Sequence, residues 1–283
     1  MKTHQHSKIR GVIAAMVVTL VFISQPFVAC DAETAGETIR FRTAVMGATN
    51  VGQAPTSFTT VKGWNVILSS ADAVFGPIYF YGGEPMAKAA PNPLLRIFGG
   101  VAMACPTHAQ YDYGAVLGEV LEQYVVNLLA AVPTSTGEVQ GEAGTCHSAE
   151  LHLHPPGDQQ LPAGSAPAQF AKLGGHSIAI SGTATKDGTT LPFRAALDIP
   201  DEGAMRIVQN IAANVTLDNS TVGSGRIVVQ IFLDAWFGQV DFSTLTETDA
   251  DGNYLFSEGT QAQTALLQAM RNRYSYQVIW RAQ

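Results

Sequence analysis

Hydrophobic and polar residues alternate with a period of two over much of this chain, which is the signature of half-buried β-strands. In Ile39 to Val45, Ile39, Phe41 and Val45 fall on one face and Arg40 and Arg42 on the other. Trp64 to Leu68 and Val74 to Tyr81 are β-branched and aromatic runs, and Pro77 inside the second predicts an edge or a bulge. Ser177 to Thr185 places Ile178, Ile180 and Ala184 on one face. Lys186-Asp187-Gly188 then predicts a hairpin turn with Thr189 to Ile199 returning, because Gly accepts the positive φ that such turns require. Arg206 to Leu217 and Arg226 to Asp234 read as another strand pair, and Tyr274 to Trp280 as a final strand.

Two segments have helical spacing instead. Leu117, Val120, Leu121, Tyr124, Val125 and Leu128 predict a helix from about Ala115, giving way to a strand near Val125. Gln261 to Arg271 predicts a short helix that buries Leu266, Ala269 and Met270. Gly82 to Pro106 and Pro155 to Gly175 are rich in Gly, Pro and small residues and are expected as long surface loops. The sum is an all-β protein. The expected fold is an antiparallel β-sandwich with one or two short helices, as a single domain over residues 39–283.

The first residues break the strand pattern. Lys2, Lys8 and Arg10 precede an apolar run from Gly11 to Phe22 that continues unevenly to Ala29, the layout of a secretory signal over residues 1–29. Phe27-Val28-Ala29-Cys30 resembles the lipobox of bacterial lipoproteins, although Phe27 stands where that pattern prefers Leu. The resemblance implies that Cys30 takes a diacylglycerol and becomes the mature N-terminus, with residues 30–38 as a lipidated tether. The rival is an uncleaved anchor, since the run is nearly long enough to span a bilayer. Pro26 and the small residues before Cys30 favour cleavage. The expected location is the bacterial cell envelope, lipid-anchored at the periplasmic face or outer surface.

Charge narrows the partners. The chain has 16 Lys and Arg against 23 Asp and Glu. Removing residues 1–29 takes three cations and no acid, leaving 13 against 23, a net charge of −10. No basic block follows Arg10, so the footprint of a nucleic-acid binder is missing. The expected attachment to the membrane is the lipid, and the further expected partner is an envelope protein. With Cys30 assigned to lipid, Cys105 and Cys146 remain, and an exported compartment permits a disulfide between them. Two unrelated buried thiols are the alternative.

Histidine is the one chemically suggestive residue type. In Cys146-His147-Ser148-Ala149-Glu150-Leu151-His152-Leu153-His154, strand alternation sets Ala149, Leu151 and Leu153 on an apolar face. Glu150, His152 and His154 share the polar face. Histidines at i and i+2 on a strand point the same way and can share an ion. Glu150 is then a third ligand or the acceptor that orients a ligand. Imidazole suits zinc, copper, iron and nickel alike. His108 joins the candidates because a Cys105–Cys146 bond would bring it near this strand. His147 has core parity and is the weaker candidate. A His-x-His pair on a solvent face also occurs without metal, and that reading stays open. His176 reads as a turn residue that bonds backbone.

Other motifs fail. Asp249-Ala250-Asp251-Gly252-Asn253 begins like a calcium loop, but the sixth position is Tyr254 and the twelfth is Thr260, so an acidic turn is expected. No nucleophile elbow, His-Glu-x-x-His, phosphate loop or dinucleotide fingerprint occurs, and nothing points to an enzyme.

The order of several segments is similar to a known family. It runs from the strand ending near Gly47, through Trp64 to Tyr81, Tyr124 to Leu129, Ser148 to Leu153 and Ile180 to Ala184 with Pro192-Phe193, to Asp234-Ala235-Trp236-Phe237-Gly238. The chain resembles, over most of its mature length, exported lipoproteins with a domain like the methanobactin-partner copper-binding proteins. The resemblance implies a β-sandwich and envelope copper binding through His with an oxidised Trp. The family's Trp-rich central motif is absent, with Trp64, Trp236 and Trp280 lying elsewhere, so no Trp ligand is carried over. The expected function is non-enzymatic transition-metal handling, with copper first and zinc second. The alternative is a structural or interaction lipoprotein of an envelope complex without a metal site.

Overall fold

The computed structural model describes residues 36–50, 55–84, 114–153, 155, 170–200, 206–220 and 223–282. Fourteen strands occur among them. They are β1 (Thr38–Ala48), β2 (Ser57–Thr59), β3 (Asn65–Phe75), β4 (Ile78–Tyr81), β5 (Val116–Val120), β6 (Tyr124–Asn127) and β7 (Thr134–Glu142), followed by β8 (Gly144–His152), β9 (Ile178–Lys186), β10 (Thr189–Leu197), β11 (Ile207–Leu217), β12 (Gly225–Phe232), β13 (Tyr254–Leu255) and β14 (Tyr276–Ala282). Two α-helices, α1 (Leu233–Phe237) and α2 (Gln261–Met270), complete the framework. No helix among the described residues is long and apolar enough to cross a membrane.

The strands form two sheets, and the all-β, sandwich-like architecture expected from the alternation is what the chain adopts. The larger sheet runs β5-β4-β8-β11-β14-β12-β1-β7, and the smaller β13-β10-β9-β3-β2 with β6 also on β3. The ladders are mixed: β1 runs parallel to β12, β11 to β14 and β10 to β13. In β1 the alternation is direct, with Ile39 and Phe41 buried and Arg40 and Arg42 exposed. The β9–β10 hairpin pairs nine residues on each side, from Lys186↔Thr189 to Ile178↔Leu197. Asp187 at φ 51° and Gly188 at φ 79° close it, two positive φ angles as a two-residue hairpin turn requires.

Two local expectations are corrected. The segment from Ala115 is not helical; it is strands β5 and β6 joined by a short turn. The apolar residues at helical spacing, Leu117, Val120, Leu121, Tyr124, Val125 and Leu128, are spread over both strands and the turns beside them, and of them only Leu117, Val120 and Leu128 are buried; the strand expected near Val125 is β6. Valines at 116, 120, 125 and 126 favour the extended form. The second correction concerns β11 and β12, which do not pair with each other. The C-terminal β14 lies between them, antiparallel to β12 from Gly225↔Ala282 to Ile231↔Tyr276 and touching β11 at Ala213↔Val278.

The core fills the space between the sheets and under α1 and α2. Phe193, Phe237, Phe242 and Phe256 pack together, with ring centroids 4.9 Å apart for Phe193–Phe242 and 5.7 Å for Phe193–Phe256. Trp64 borders this group at 5.5 Å from Phe242. Helix α1 buries Trp236 and Phe237, and α2 buries Leu266 and Met270. The chain passes from the smaller sheet into the larger at Gly76-Pro77, between β3 and β4, a cis peptide. Gly76 has φ +123°, and a Cβ there would stand 2.1 Å from the Glu122 carbonyl oxygen, so this corner admits only glycine. The same corner carries the end of β8: Gly76 N–H donates to His152 O at 3.1 Å and His152 N–H to Pro77 O at 3.0 Å.

Candidate functional site

β8 places the sequence candidates. Ala149, Leu151 and Leu153 all point into the core and are buried, as the alternation predicts. The opposite face is not a solvent face, however. Ser148 is buried and its hydroxyl donates to Gly83 O at 2.8 Å. Glu150 is only 7% exposed. Tyr81 stands directly across from Ser148 and Tyr79 directly across from Glu150. The two tyrosine rings stack with centroids 6.5 Å apart.

A buried carboxylate is unfavourable unless hydrogen bonds replace its water. Glu150 has one donor on each oxygen. His152 Nε2 lies 2.8 Å from Oε1, and Gln209 Nε2 donates to Oε2 at 3.2 Å. The His152 side chain is 14% exposed and its ring packs against Tyr79 at 5.6 Å. The i, i+2 geometry therefore brings Glu150 and His152 into direct contact. It is the arrangement in which a carboxylate orients an imidazole from behind. His154, the other ligand expected on this face, and His108 lie outside the described residues. Among the described residues no three His, Cys, Asp or Glu side chains gather in reach of one ion.

The other candidates separate from this pair. His147 Nδ1 faces Glu84 Oε1 at 3.2 Å on the surface. His176, expected to bond backbone, instead bonds Asp198 Oδ2 through Nδ1 at 2.9 Å, while Asp198 Oδ1 accepts from Ser177 N–H at 2.8 Å. That clasp ties the entry of β9 to the exit of β10. Cys146 is a buried free thiol that donates to Ser148 O at 3.4 Å. Burial pushes its pKa up to about 12, so the sulfur stays protonated. Cys105, its expected partner, and Cys30, the expected lipid attachment point, lie outside the described residues. Asp249 accepts from the N–H groups of Asp251 and Asn253 and from Asn253 Nδ2. The carboxylate is turned onto its own loop, as an acidic turn requires, and these bonds hold its pKa below the ordinary value.

Sequence reasoning missed Tyr79 and Gln209. Tyr79 is found only once the β4–β8 register is known. Gln209 carries a weak signal: Gln209-Asn210 interrupts the apolar alternation between Val208 and Ile211 with two polar residues in a row.

No family model and no curated protein matches the chain. Among solved structures, MbnP from Methylosinus trichosporium is similar at 9% identity, with a TM-score of 0.49, over 87% of this chain and all of that one. The similarity is loose, and no residue of the site is read from it.

Proposed function

We propose that this chain is a non-enzymatic envelope protein, anchored through lipid on Cys30, that binds a transition metal in metal handling. Copper is the first candidate and zinc the second. The observation that carries the reading is the Glu150–His152 contact at 2.8 Å, with the imidazole at the edge of a buried polar cluster. His152 and His154 would hold the ion, His108 would add a further imidazole, and Glu150 would orient the His152 ring. A bound ion would supply charge or redox capacity that these side chains lack. The charged leader, the apolar run and Ala29-Cys30 support the anchor.

The test is elemental analysis of the full chain taken from its native membrane, with calorimetric titration of the purified chain by copper and zinc. Bound metal and a loss of affinity in the His152→Ala/His154→Ala double variant are expected. Unchanged affinity in that variant rejects the site, and a chain that neither carries nor binds metal rejects the function.

One observation favours a second reading, an interaction lipoprotein. A cleft of about 480 Å³ beside α1 and α2 has Val61 and Tyr274 on its lining, exposed by 77% and 71%. Large exposed apolar side chains gathered at one cleft suit a protein partner. This reading expects no metal above background and loss of a co-purifying envelope protein in Tyr274→Ser.

A further inference from the structure

On the outer face of the smaller sheet, β3 holds one residue more than its partner strand β9. Leu68 pairs with Gly182 and Ser70 with Ser181, so Ser69 is the extra residue of a bulge. A bulge sets two consecutive residues opposite one on the partner strand and re-aims their side chains. Leu68 and Ala71, on either side of the pair, are buried, while Ser69 is exposed and Ser70 half-buried. Both serines meet Ser181: Ser69 Oγ lies 2.9 Å and Ser70 Oγ 2.7 Å from Ser181 Oγ. Gly182 lets the distorted strand close in, since a Cβ there would stand 2.3 Å from the Ile67 carbonyl oxygen. The backbone of two strands therefore fixes this trio of hydroxyls in place.

The trio lies in a depression of about 590 Å³, a volume in the range of small-ligand sites. Three hydroxyls joined by two hydrogen bonds keep one O–H and most of their lone pairs, so the trio can both donate and accept. Ligand hydroxyls call for that double capacity. Asp72 follows Ser70 on the same face and pairs with Ala179, whose small side chain leaves room beside the carboxylate. Burial raises the pKa of Asp72 and the charge of Lys172 lowers it, with no hydrogen bond contributing. A ligand hydroxyl would supply a bond that a partly desolvated carboxylate needs. Ile67, 59% exposed, and Pro192 add apolar surface for the C–H face of a sugar ring.

Charge narrows the class. Lys172 and Arg194 outnumber Asp72 in the lining. Arg194 stands directly across from Ser181 on β10, and a guanidinium takes a carboxylate through two parallel bonds. We propose that this depression binds an acidic saccharide: the Ser69–Ser70–Ser181 trio and Asp72 engage its hydroxyls, and Arg194 takes its carboxylate. The site is separate from β8 and from the cleft beside α1 and α2, so it stands apart from both readings above.

The test uses the full chain in detergent and three probes at equal concentration. Cellobiouronic acid is a disaccharide ending in a uronic acid, cellobiose is the same disaccharide without the carboxylate, and acetate is a carboxylate without the sugar. Backbone NMR shifts along β3 and β9 locate binding. The expected result is saturable movement of Ser69, Ser181 and Gly182 with cellobiouronic acid, the same movement at about tenfold lower affinity with cellobiose, and none with acetate. Arg194→Gln should bring the acid down to the level of cellobiose, and Ser181→Ala should weaken both by about two- to tenfold. Both variants change only the outer face and should keep the wild-type Tm. If neither disaccharide moves these resonances, or if Ser181→Ala binds as wild type does, the proposal fails. Acetate acting like cellobiouronic acid would reduce the site to an anion patch and overturn the saccharide. Cellobiose binding as tightly as the acid, or Arg194→Gln keeping the preference, would overturn the carboxylate's part in it.

Discussion

A Cβ placed on Gly141 in β7 would stand 1.9 Å from the carbonyl oxygen of Leu117 in β5 and 2.9 Å from Phe41 Cε1. β5 and β7 are the two edge strands of the larger sheet, so this approach brings its ends together in a barrel-like curl. Gly118 makes the matching allowance from the other side, where a Cβ would lie 2.5 Å from Phe41 Cζ. Gly141→Ala must force backbone apart rather than shift a flexible side chain. The expected loss is about 1–3 kcal/mol, as for a sterically overpacked core position. Denaturant unfolding of the variant measures it. Since β5, β4 and β8 are consecutive in the sheet, the same variant should also perturb the ring resonances of His152. A variant as stable as wild type would show that the seam has slack.

Cys146 gives a test of its own state. Its thiol is buried, bonds Ser148 O, and has its pKa pushed up to about 12 by burial. The thiolate is the reactive form, so at pH 8 the native protein should not be alkylated at Cys146 over hours. In denaturant without reductant it should react at once. A disulfide to Cys105 would instead keep Cys146 unreactive in denaturant until reductant is added. Peptide mass mapping after each treatment separates the two.

How much of this was legible beforehand differs by element. Strands with one buried face and one wet face announced themselves, as in β1, and the β9–β10 hairpin was fixed by the positive-φ demand at Asp187-Gly188. The helix expected from Ala115 is strand β5 and a turn, whose apolar residues imitate a helical period, while the strand expected near Val125 is β6. The place of β14 was not readable at all, since insertion between β11 and β12 is settled by packing between segments far apart in the chain, such as Ile231 with Tyr276 and Ala213 with Val278, not by local pattern. The site divides the same way. Glu150 and His152 share a strand, and their contact follows from a period of two. Gln209 reaches them from another strand through a register slip, which no local pattern encodes. That the polar face of β8 is buried was equally hidden, because burial depends on what crosses the sheet.

The aromatic group under α1 should dominate stability. Phe237 is fully buried, stacks on Phe242 with planes 5° apart and centroids 6.1 Å apart, and meets Phe193 at 5.8 Å. Its deletion leaves a cavity walled by rings that cannot easily collapse. Phe237→Ala should cost about 3–5 kcal/mol in denaturant unfolding, whereas Phe237→Leu, which fills much of the space, should cost clearly less. Equal costs would mean that the ring geometry, and not the filled volume, is what the group contributes.

Asp241 links the same region to pH. Its carboxylate accepts from Ser243 Oγ at 2.7 Å, from Ser243 N–H at 3.1 Å and from Trp64 Nε1–H at 3.3 Å. The Ser243 hydroxyl bond leads in lowering its pKa below the ordinary 3.8, against a smaller upward push from burial, with Trp64 and the charge of Lys186 also lowering it. A carboxyl whose folded pKa lies below its unfolded value adds stability that is complete above the unfolded value. That stability is lost as pH falls through the folded value. Asp241→Ala should therefore lower Tm at pH 7, consistent with about 1 kcal/mol for a lost N-terminal cap of the short turn that follows. The Tm gap between wild type and variant should hold from pH 7 to about pH 5 and narrow steadily below pH 4. Thermal unfolding of both proteins across that range gives the answer. A gap that is unchanged at pH 2.5 would mean that the loss comes from packing against Trp64, and that the charged acceptor adds nothing to the fold.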